Sequence, residues 1–465
     1  MRRHQPQHGR KREQGIVITL VAVFMASVVL VMAALAIDLT TLYTARSEAQ
    51  LAADSAALAA ARVLANSGMT SSDFMTPPFD TLGAETLATT VAMQVAASNQ
   101  IGGKNLVPPG GGISTCNGAG AQISVCFHDS DVSNPYVTVQ VTRPDLPTFF
   151  LRFWKQQLPV SASATAEAYN PSGLSTSRRH GAAPVAPICV KPWLLPNLDP
   201  TQTGAPSWVA LFDRRHGTIE NPNLIGQTWP NTYSGTSNTS GLLSQSPGPP
   251  YTTTPAPGQY YPIDPADLPA TIPALPSCSN GFTNYQLEVA GCVPQPIACG
   301  RNATIRIDTA AYANRDSDTV AAVQCLIHYN TGAGDTDSIV GEPALPTLPP
   351  ATITPPFEFE AGGQNPLTTA RGQDVLVSDS LVTIPVYDTG ATSGNQPGPP
   401  PNPVTVIGFL QVFLNPQSNV LPYPLAPTQI PVTIINQIGC GIDSSGTPVY
   451  GNGPSAVPVR LITPP

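Results

Sequence analysis

Few residues in this chain could carry chemistry. The six histidines (His4, His8, His128, His180, His216, His328) are scattered, and two of them precede the apolar segment. Cys325 and His328 lie three apart, so a helix would set a thiol and an imidazole on one face, the arrangement of a nucleophile and its base. A cystine beside a surface histidine is the simpler reading. Eight cysteines are present (Cys116, Cys126, Cys189, Cys278, Cys292, Cys299, Cys325, Cys440), an even number with no CxxC pair, and all follow an apolar segment that directs export. Their connectivity stays open; Cys116 and Cys126, which bracket a short glycine-rich turn, form the best local pair. Residues Gly332 to Ser338, with Asp335 and Asp337, could offer oxygen ligands to calcium. One such loop without a repeat reads first as an acidic turn. Asn238-Thr239-Ser240 and Asn302-Ala303-Thr304 fit the glycosylation pattern, which chance produces often. No catalytic constellation assembles, and the expectation is a protein that is not an enzyme, with no cofactor and no metal.

The element that positions everything else is the run from Ile16 to Ile37, 22 residues without an ionisable side chain. As a helix it is roughly 33 Å long, enough to cross the hydrocarbon core of a bilayer. Arg2, Arg3, Arg10, Lys11 and Arg12 precede it against the single acid Glu13, and Asp38 follows. The basic flank assigns the N-terminus to the cytoplasm and the bulk of the chain to the outside. A cleaved secretory signal is the rival reading, because Ala34-Leu35-Ala36 would suit a cleavage site. The run is longer than the ~7–15 apolar residues of a signal, and helix-forming sequence continues past it. The bilayer is therefore the first partner, through residues 16–37.

Beyond the span the chain carries many prolines (53) and glycines (38) and few charged residues (11%), which reads as compact β-rich modules joined by proline-rich connections. The formal charge is −8, with +4 in the first 15 residues and −12 in the rest. An acidic exterior argues against nucleic acid as a ligand of the exported part and against its docking on anionic lipid.

Nine of the 17 residues from Ala49 to Ala65 are alanine, the best helix former. Leu51, Leu58 and Ala65 recur at seven-residue spacing with Ala57, Ala61 and Leu64 alongside, and Asn66-Ser67-Gly68 supplies a stop. The membrane helix should run into this one as a single rod whose small side chains admit a close neighbour. That neighbour is either a partner or the rest of the same domain. Asp54 lies on this helix with Gln50 one turn before it, either as a polar contact fixing register or on a solvated face. Asp38 marks the outer membrane boundary, where its carboxylate would reach water. A second helix is expected from Thr81 to Asn99 with a Leu87, Val91, Val95 stripe. Alternating strands follow at Ile123 to Phe127, Val137 to Val141 and Val160 to Tyr169. The remainder suggests strands near Val209, Ile305, Val382 to Val386, Val404 to Leu414 and Ile430 to Ile435, with one helix at Thr319 to Tyr329. The fold class is α+β: a long transmembrane-plus-periplasmic helix, a small antiparallel sheet module, and a large β-rich, proline-rich region. The divisions are 1–15 (basic tail), 16–37 (span), 38–170 (membrane-proximal module), 171–181 (linker) and 182–465 (β-rich region).

Residues 10–66 resemble the N-terminal segment of the TadG-like (TadE/TadG-like) proteins of the Flp (Tad) pilus machinery. The resemblance rests on Gln14-Gly15, the apolar span, Ala36-Ile37-Asp38-Leu39, Tyr43, Ala45-Arg46, and the stretch from Gln50 to Ala59. Residues 137–169 resemble the family more loosely, through Pro147-Thr148-Phe149-Phe150 and Val160 to Ala168. Pilins of the processed type carry a glutamate five residues after the cleaved glycine, where this chain has Leu20. The resemblance thus implies a single-pass protein of a bacterial inner membrane, with its bulk periplasmic, acting as an assembly scaffold rather than a pilus subunit. Its implied partners are other pilus-machinery proteins, pilus components or a second copy of itself. Gln50, Asp54, Ala57, Leu58 and Ala61 are the candidate helix-contact residues. The alternative is a secreted or surface structural protein or adhesin that uses the same segment for export. A disulfide-bonded hydrolase in 182–465 is a third class and would need a pocket with a converging nucleophile and base.

Overall fold

The computed structural model describes residues 10–71, 81–108, 121–128, 134–146, 159–172, 182–199, 209–226, 228–229, 244–245, 257–268, 277–309, 315–330, 333–341, 353–390, 398–415, 430, 432–451, 453 and 455–463. Cys116, the Asn238 glycosylation triplet and most of the 171–181 linker lie outside them. Helix α1 runs unbroken over Arg10–Asn66, and α2 over Thr81–Ser98. The chain divides into two compact units, one holding 1–57, 92–126 and 138–165, the other 58–91, 127–137 and 166–465. The mixture of a long apolar helix, small antiparallel sheets and a β-rich remainder is the α+β class read from the sequence.

In the first unit the buried line of α1 is made of alanines: Ala45, Ala49, Ala52, Ala53, Ala56 and Ala57 are each at most 1% exposed. Leu51, which the seven-residue spacing placed on the contact stripe, is 64% exposed. Helix α2 behaves the same way. Ala84, Ala88, Ala92 and Ala96 are fully buried at four-residue spacing, while Leu87, Val91 and Val95 are only half-buried. Alanine exposes the least side chain between backbone and neighbour, so the line of closest approach selects small residues over large apolar ones. Polar contacts pin this packing. The Gly102 N–H, at the turn of a short hairpin, donates to Glu48 Oε2 at 2.6 Å, and Asn99 Nδ2 donates to Ser55 Oγ.

Strands β1 (Ile123–His128), β2 (Tyr136–Arg143) and β3 (Val160–Ala168) occupy the positions that alternation predicted. Their sheet has a fourth, unforeseen member: the order is Val459–Ile462, β3, β2, β1. Near this edge Tyr169 N–H donates to Pro458 O at 2.9 Å, Arg460 pairs with Glu167, and the Arg460 guanidinium lies 5.0 Å from the Tyr169 ring centre.

The second unit is built on an eight-stranded mixed sheet. Its long members are β4 (Trp193–Pro196), β5 (Gln259–Pro262), β6 (Leu381–Tyr387), β7 (Val404–Leu414) and β8 (Val432–Gly439). The order is Thr228–Trp229, β8, β7, β6, β4, β5, Ser244–Gln245, with Thr304–Ile305 pairing β7. Every residue of β6 and β8 is buried, so both faces are covered. Helices α3 (Asn284–Ala290) and α4 (Arg315–Leu326) contribute Tyr285, Val289, Ala322 and Val323 to the same core. Trp193 Nε1 donates to Tyr285 Oη at 3.0 Å, and Thr319 Oγ1 bonds the hydroxyls of both Tyr285 and Tyr260. No strand forms at Val209, whose carbonyl instead accepts from Asp199 N–H in a loop.

Helix α4 stops three residues before the predicted Tyr329. His328, at φ 58°, takes the left-handed position of a Schellman cap, with Tyr329 N–H donating to Gln324 O and His328 N–H to Cys325 O. The cystines are Cys189–Cys292, Cys278–Cys325 and Cys299–Cys440. Cys126 is also disulfide-bonded.

The last turns of α1 end inside this second unit, in an interior of amides and hydroxyls. Asn436 Nδ2 donates to Ala65 O at 2.6 Å and to Gln411 Oε1 at 2.7 Å, while its Oδ1 accepts from Thr70 and Ser71 hydroxyls. Gln411 Nε2 donates to Asn66 Oδ1, and Asn66 Nδ2 to Leu376 O. Asn170 Nδ2 donates to Thr70 O and Gln437 O. Gln411 and Asn436 face each other across β7 and β8, at a bulge where the register shifts between Gln411 and Val412. Gly68 makes the turn at φ +82°, and a methyl there would lie 2.8 Å from the Phe357 ring.

Removing Asn436 leaves Ala65 O and Gln411 Oε1 buried without this donor, at roughly 1–3 kcal/mol each. Asn436→Ala should therefore destabilise the β-rich unit by about 3 kcal/mol, and Gly68→Ala by about 2 kcal/mol through left-handed strain and the Phe357 clash. Denaturant melts of the purified variants against wild type check both.

Candidate functional site

The N-terminal helix carries every candidate contact residue, and its exposure changes sharply along its length. From Ile16 to Ile37 the large apolar side chains stand 39–69% exposed. The hydroxyls within this stretch return to the helix: Thr19 Oγ1 donates to Gly15 O and Ser27 Oγ to Phe24 O. Such a surface is stable in lipid and unstable in water. One helix among the described residues is long and apolar enough to cross a membrane, and it is this one.

Asp38 does not reach water as the sequence reading expected. It is 6% exposed and begins the buried line that continues through Ala45 and Ala49. The carboxylate is covered within the folded chain.

Of the five candidate contact residues, Ala57 and Ala61 are fully buried within the chain and offer nothing to an outside partner. Leu58 and Asp54 are half-buried and Gln50 is exposed. Gln50 Nε2 donates to Asp54 Oδ1 at 2.7 Å and to Ser163 O of β3 at 3.3 Å. Gln50 and Asp54 thus bond each other and, through Gln50, the sheet of their own unit. The distance in sequence between Gln50 and Ser163 hid that partner; the backbone carbonyl of a strand carries no sequence signal.

The other candidates take structural parts. His328 Nε2 lies 2.9 Å from Asp379 Oδ2, and its neighbour Cys325 is in a cystine, so the thiol–imidazole pair does not form. His216 Nδ1 lies 2.6 Å from Asp213, and His128 stacks on Tyr136. In the acidic loop the Asp337 carboxylate is taken by Gly362 N–H, Asn365 Nδ2 and Ser378 Oγ, the last at 2.6 Å. Those bonds tie the loop to the 362–378 segment. A groove of about 510 Å³ opens between Ala298–Ala303 and Ile442–Pro448, with Asn302 of the glycosylation triplet at its wall. Ser444 in this groove donates to Gly441 O at 2.7 Å, and Arg301 pairs loosely with Asp443.

Sequence reasoning overlooked Lys191. Its ammonium is buried beside the Cys189–Cys292 bridge and donates to Val289 O at 2.7 Å and Gly291 O at 2.6 Å, capping the C-terminus of α3. Burial pushes its pKa down to about 7, against a smaller opposing pull from Asp379.

Two measurements follow from these placements. Ala57→Leu and Ala61→Leu should each overpack the interior at about 1–3 kcal/mol and lower the amount of folded protein, readable by protease resistance. Lys191 binds its proton less tightly folded than unfolded, so stability should fall by up to roughly 1.4 kcal/mol per pH unit as pH drops from about 10 to about 7. Below that window the penalty is constant. Denaturant melts of Lys191→Met across the same range should lack this component of the slope.

No curated protein matches the chain at a significant level, and no solved structure does. Residues 17–63, which lie wholly on α1, match the family model described as "Putative Flp pilus-assembly TadE/G-like", and the chain therefore carries a TadE/G-like segment at the head of its β-rich region.

Proposed function

We propose that the protein is a membrane-anchored, extracytoplasmic scaffold of Flp (Tad) pilus assembly and performs no catalysis. The observation that carries this reading is the coincidence of the family match with one continuous helix. The matched residues 17–63 cover both the bare apolar half of α1 and the alanine-lined half that is buried in the protein. A segment needed only for export has no use for the second half. The basic residues ahead of Ile16 support a cytoplasmic N-terminus and, with it, a β-rich unit on the periplasmic side of a bacterial inner membrane. Cystines such as Cys299–Cys440, which closes a long loop, suit that oxidising compartment. The scaffold would hold other pilus-machinery proteins, pilus components or a second copy through surfaces outside α1's buried line.

Deleting the gene from a strain with an intact Tad system should lower pilus number and surface adherence. The intact gene should restore both, and a version with residues 1–37 exchanged for a cleavable signal should not. Unchanged pilus number and adherence after deletion would end the assignment, and full rescue by the soluble version would end the anchoring role.

A further inference from the structure

We infer that the membrane's outer boundary on α1 lies at Ala45–Arg46, about two turns beyond Asp38, so that the headgroup layer contacts Leu39, Thr40, Tyr43 and Thr44. This deepens the reading of Ile16–Ile37 as a membrane span and rests on it. Between Ile16 and Ala45 the one charged side chain is Asp38, and it is buried. The exposed surface of the helix is therefore free of charge for thirty residues, roughly 45 Å. That length exceeds the ~30 Å hydrocarbon core and matches the ~40–45 Å of a bilayer with both headgroup layers. Leu39 is 50% and Tyr43 66% exposed, an apolar residue and an aromatic one at the depth where amphipathic rings concentrate.

The hydroxyls support the same boundary. Thr40, Thr41 and Thr44 donate back to Ala36 O, Ile37 O and Thr40 O, as Thr19 and Ser27 do within the span. The first exposed charge is Arg46, whose guanidinium suits lipid phosphate. Phospholipid is the occupant favoured by continuity, because the surface extends the lipid-facing helix without a break in character. The buried position of Asp38 is what permits this immersion, since a carboxylate open to that layer would draw the boundary back to itself.

Site-directed spin labelling of the full, unreduced chain in phosphatidylcholine–phosphatidylglycerol vesicles tests the assignment. Single labels go in at Val29→Cys, Thr40→Cys, Thr44→Cys and Leu51→Cys, and collision rates are read with oxygen and with a water-soluble nickel chelate. Labels at 40 and 44 should meet nickel several-fold less often than the label at 51 while meeting oxygen readily. Nickel access at 40 and 44 equal to that at 51 would return the boundary to Asp38. Shielding of 40 and 44 from both reagents would replace lipid by a protein partner, whether a second copy or another component. A water-exposed label at 29 would instead overturn the span itself, which separates the failure of that reading from the failure of this one.

Discussion

The end of α1 is where this fold is most constrained. A helix that terminates in a protein interior leaves carbonyls with no intrahelical donor, and each must find one or cost the full desolvation of a buried polar group. Asn436 answers for Ala65, Gln411 fixes Asn436 and Asn66, and Ser71 and Asn170 carry the set on to Gln437. The donors and acceptors come from three distant parts of the chain: residues 65–71, Asn170, and strands β7 and β8. Because Asn436 bonds Ala65, Gln411, Thr70 and Ser71 at once, a slip of β8 by one residue would turn Asn436 away and strand several partners together. The bulge beside Gln411 belongs to this arrangement, for it sets the register in which the two amides meet. The network specifies one seating of the helix and the central hairpin more than it adds net stability.

A second constraint is closeness of approach, and it explains why Leu51 and the Leu87, Val91, Val95 stripe lie off the buried line although Ala57, Ala61, Leu64 and Ala65 lie on it. Leu51 and Leu87 are more hydrophobic than their neighbours, and periodicity alone gives them the core. Yet alanine makes most of the buried face of α1 and of α2, and Val63 and Leu64 join it only in the last turns of α1. A backbone that must pass close to another has room only for a methyl group. Periodicity located the helices and their stop at Asn66, because helix propensity and the Asn66-Ser67-Gly68 break are local properties. It could not say which face would meet a neighbour most closely, because that depends on the neighbour.

The same division separates the rest of what could be read from what could not. Alternation found β1, β2 and β3, and continuous apolar runs found β6, β7 and β8, since a strand writes its own burial into its sequence. The Val459–Ile462 strand is short and belongs to a sheet whose other members end near residue 168, so nothing local announces it. The cystines Cys189–Cys292 and Cys299–Cys440 join residues 103 and 141 apart, and no spacing rule reaches so far. Among the candidate contact residues, Gln50 and Asp54 were recognisable as an i,i+4 pair, but the further acceptor that Gln50 reaches, the Ser163 carbonyl, has no side-chain identity. His328 looked like half of a reactive pair because residue type and spacing cannot reveal that it terminates a helix in a left-handed turn.

Asp38 shows how local and distant determinants combine in one residue. Its position at the end of an apolar run makes it look like a water marker, and in an isolated helix it would be one. Folding changes its surroundings. Once covered, the carboxylate no longer belongs to the surface that a bilayer meets, and the exposed face keeps Leu39, Tyr43 and back-bonded threonines up to Arg46. The depth at which such a helix rests is decided by the charges it exposes, not by the charges it contains. A hydropathy profile counts the latter, so it places the boundary at the first acid. The folded chain places it at the first acid or base that solvent can reach.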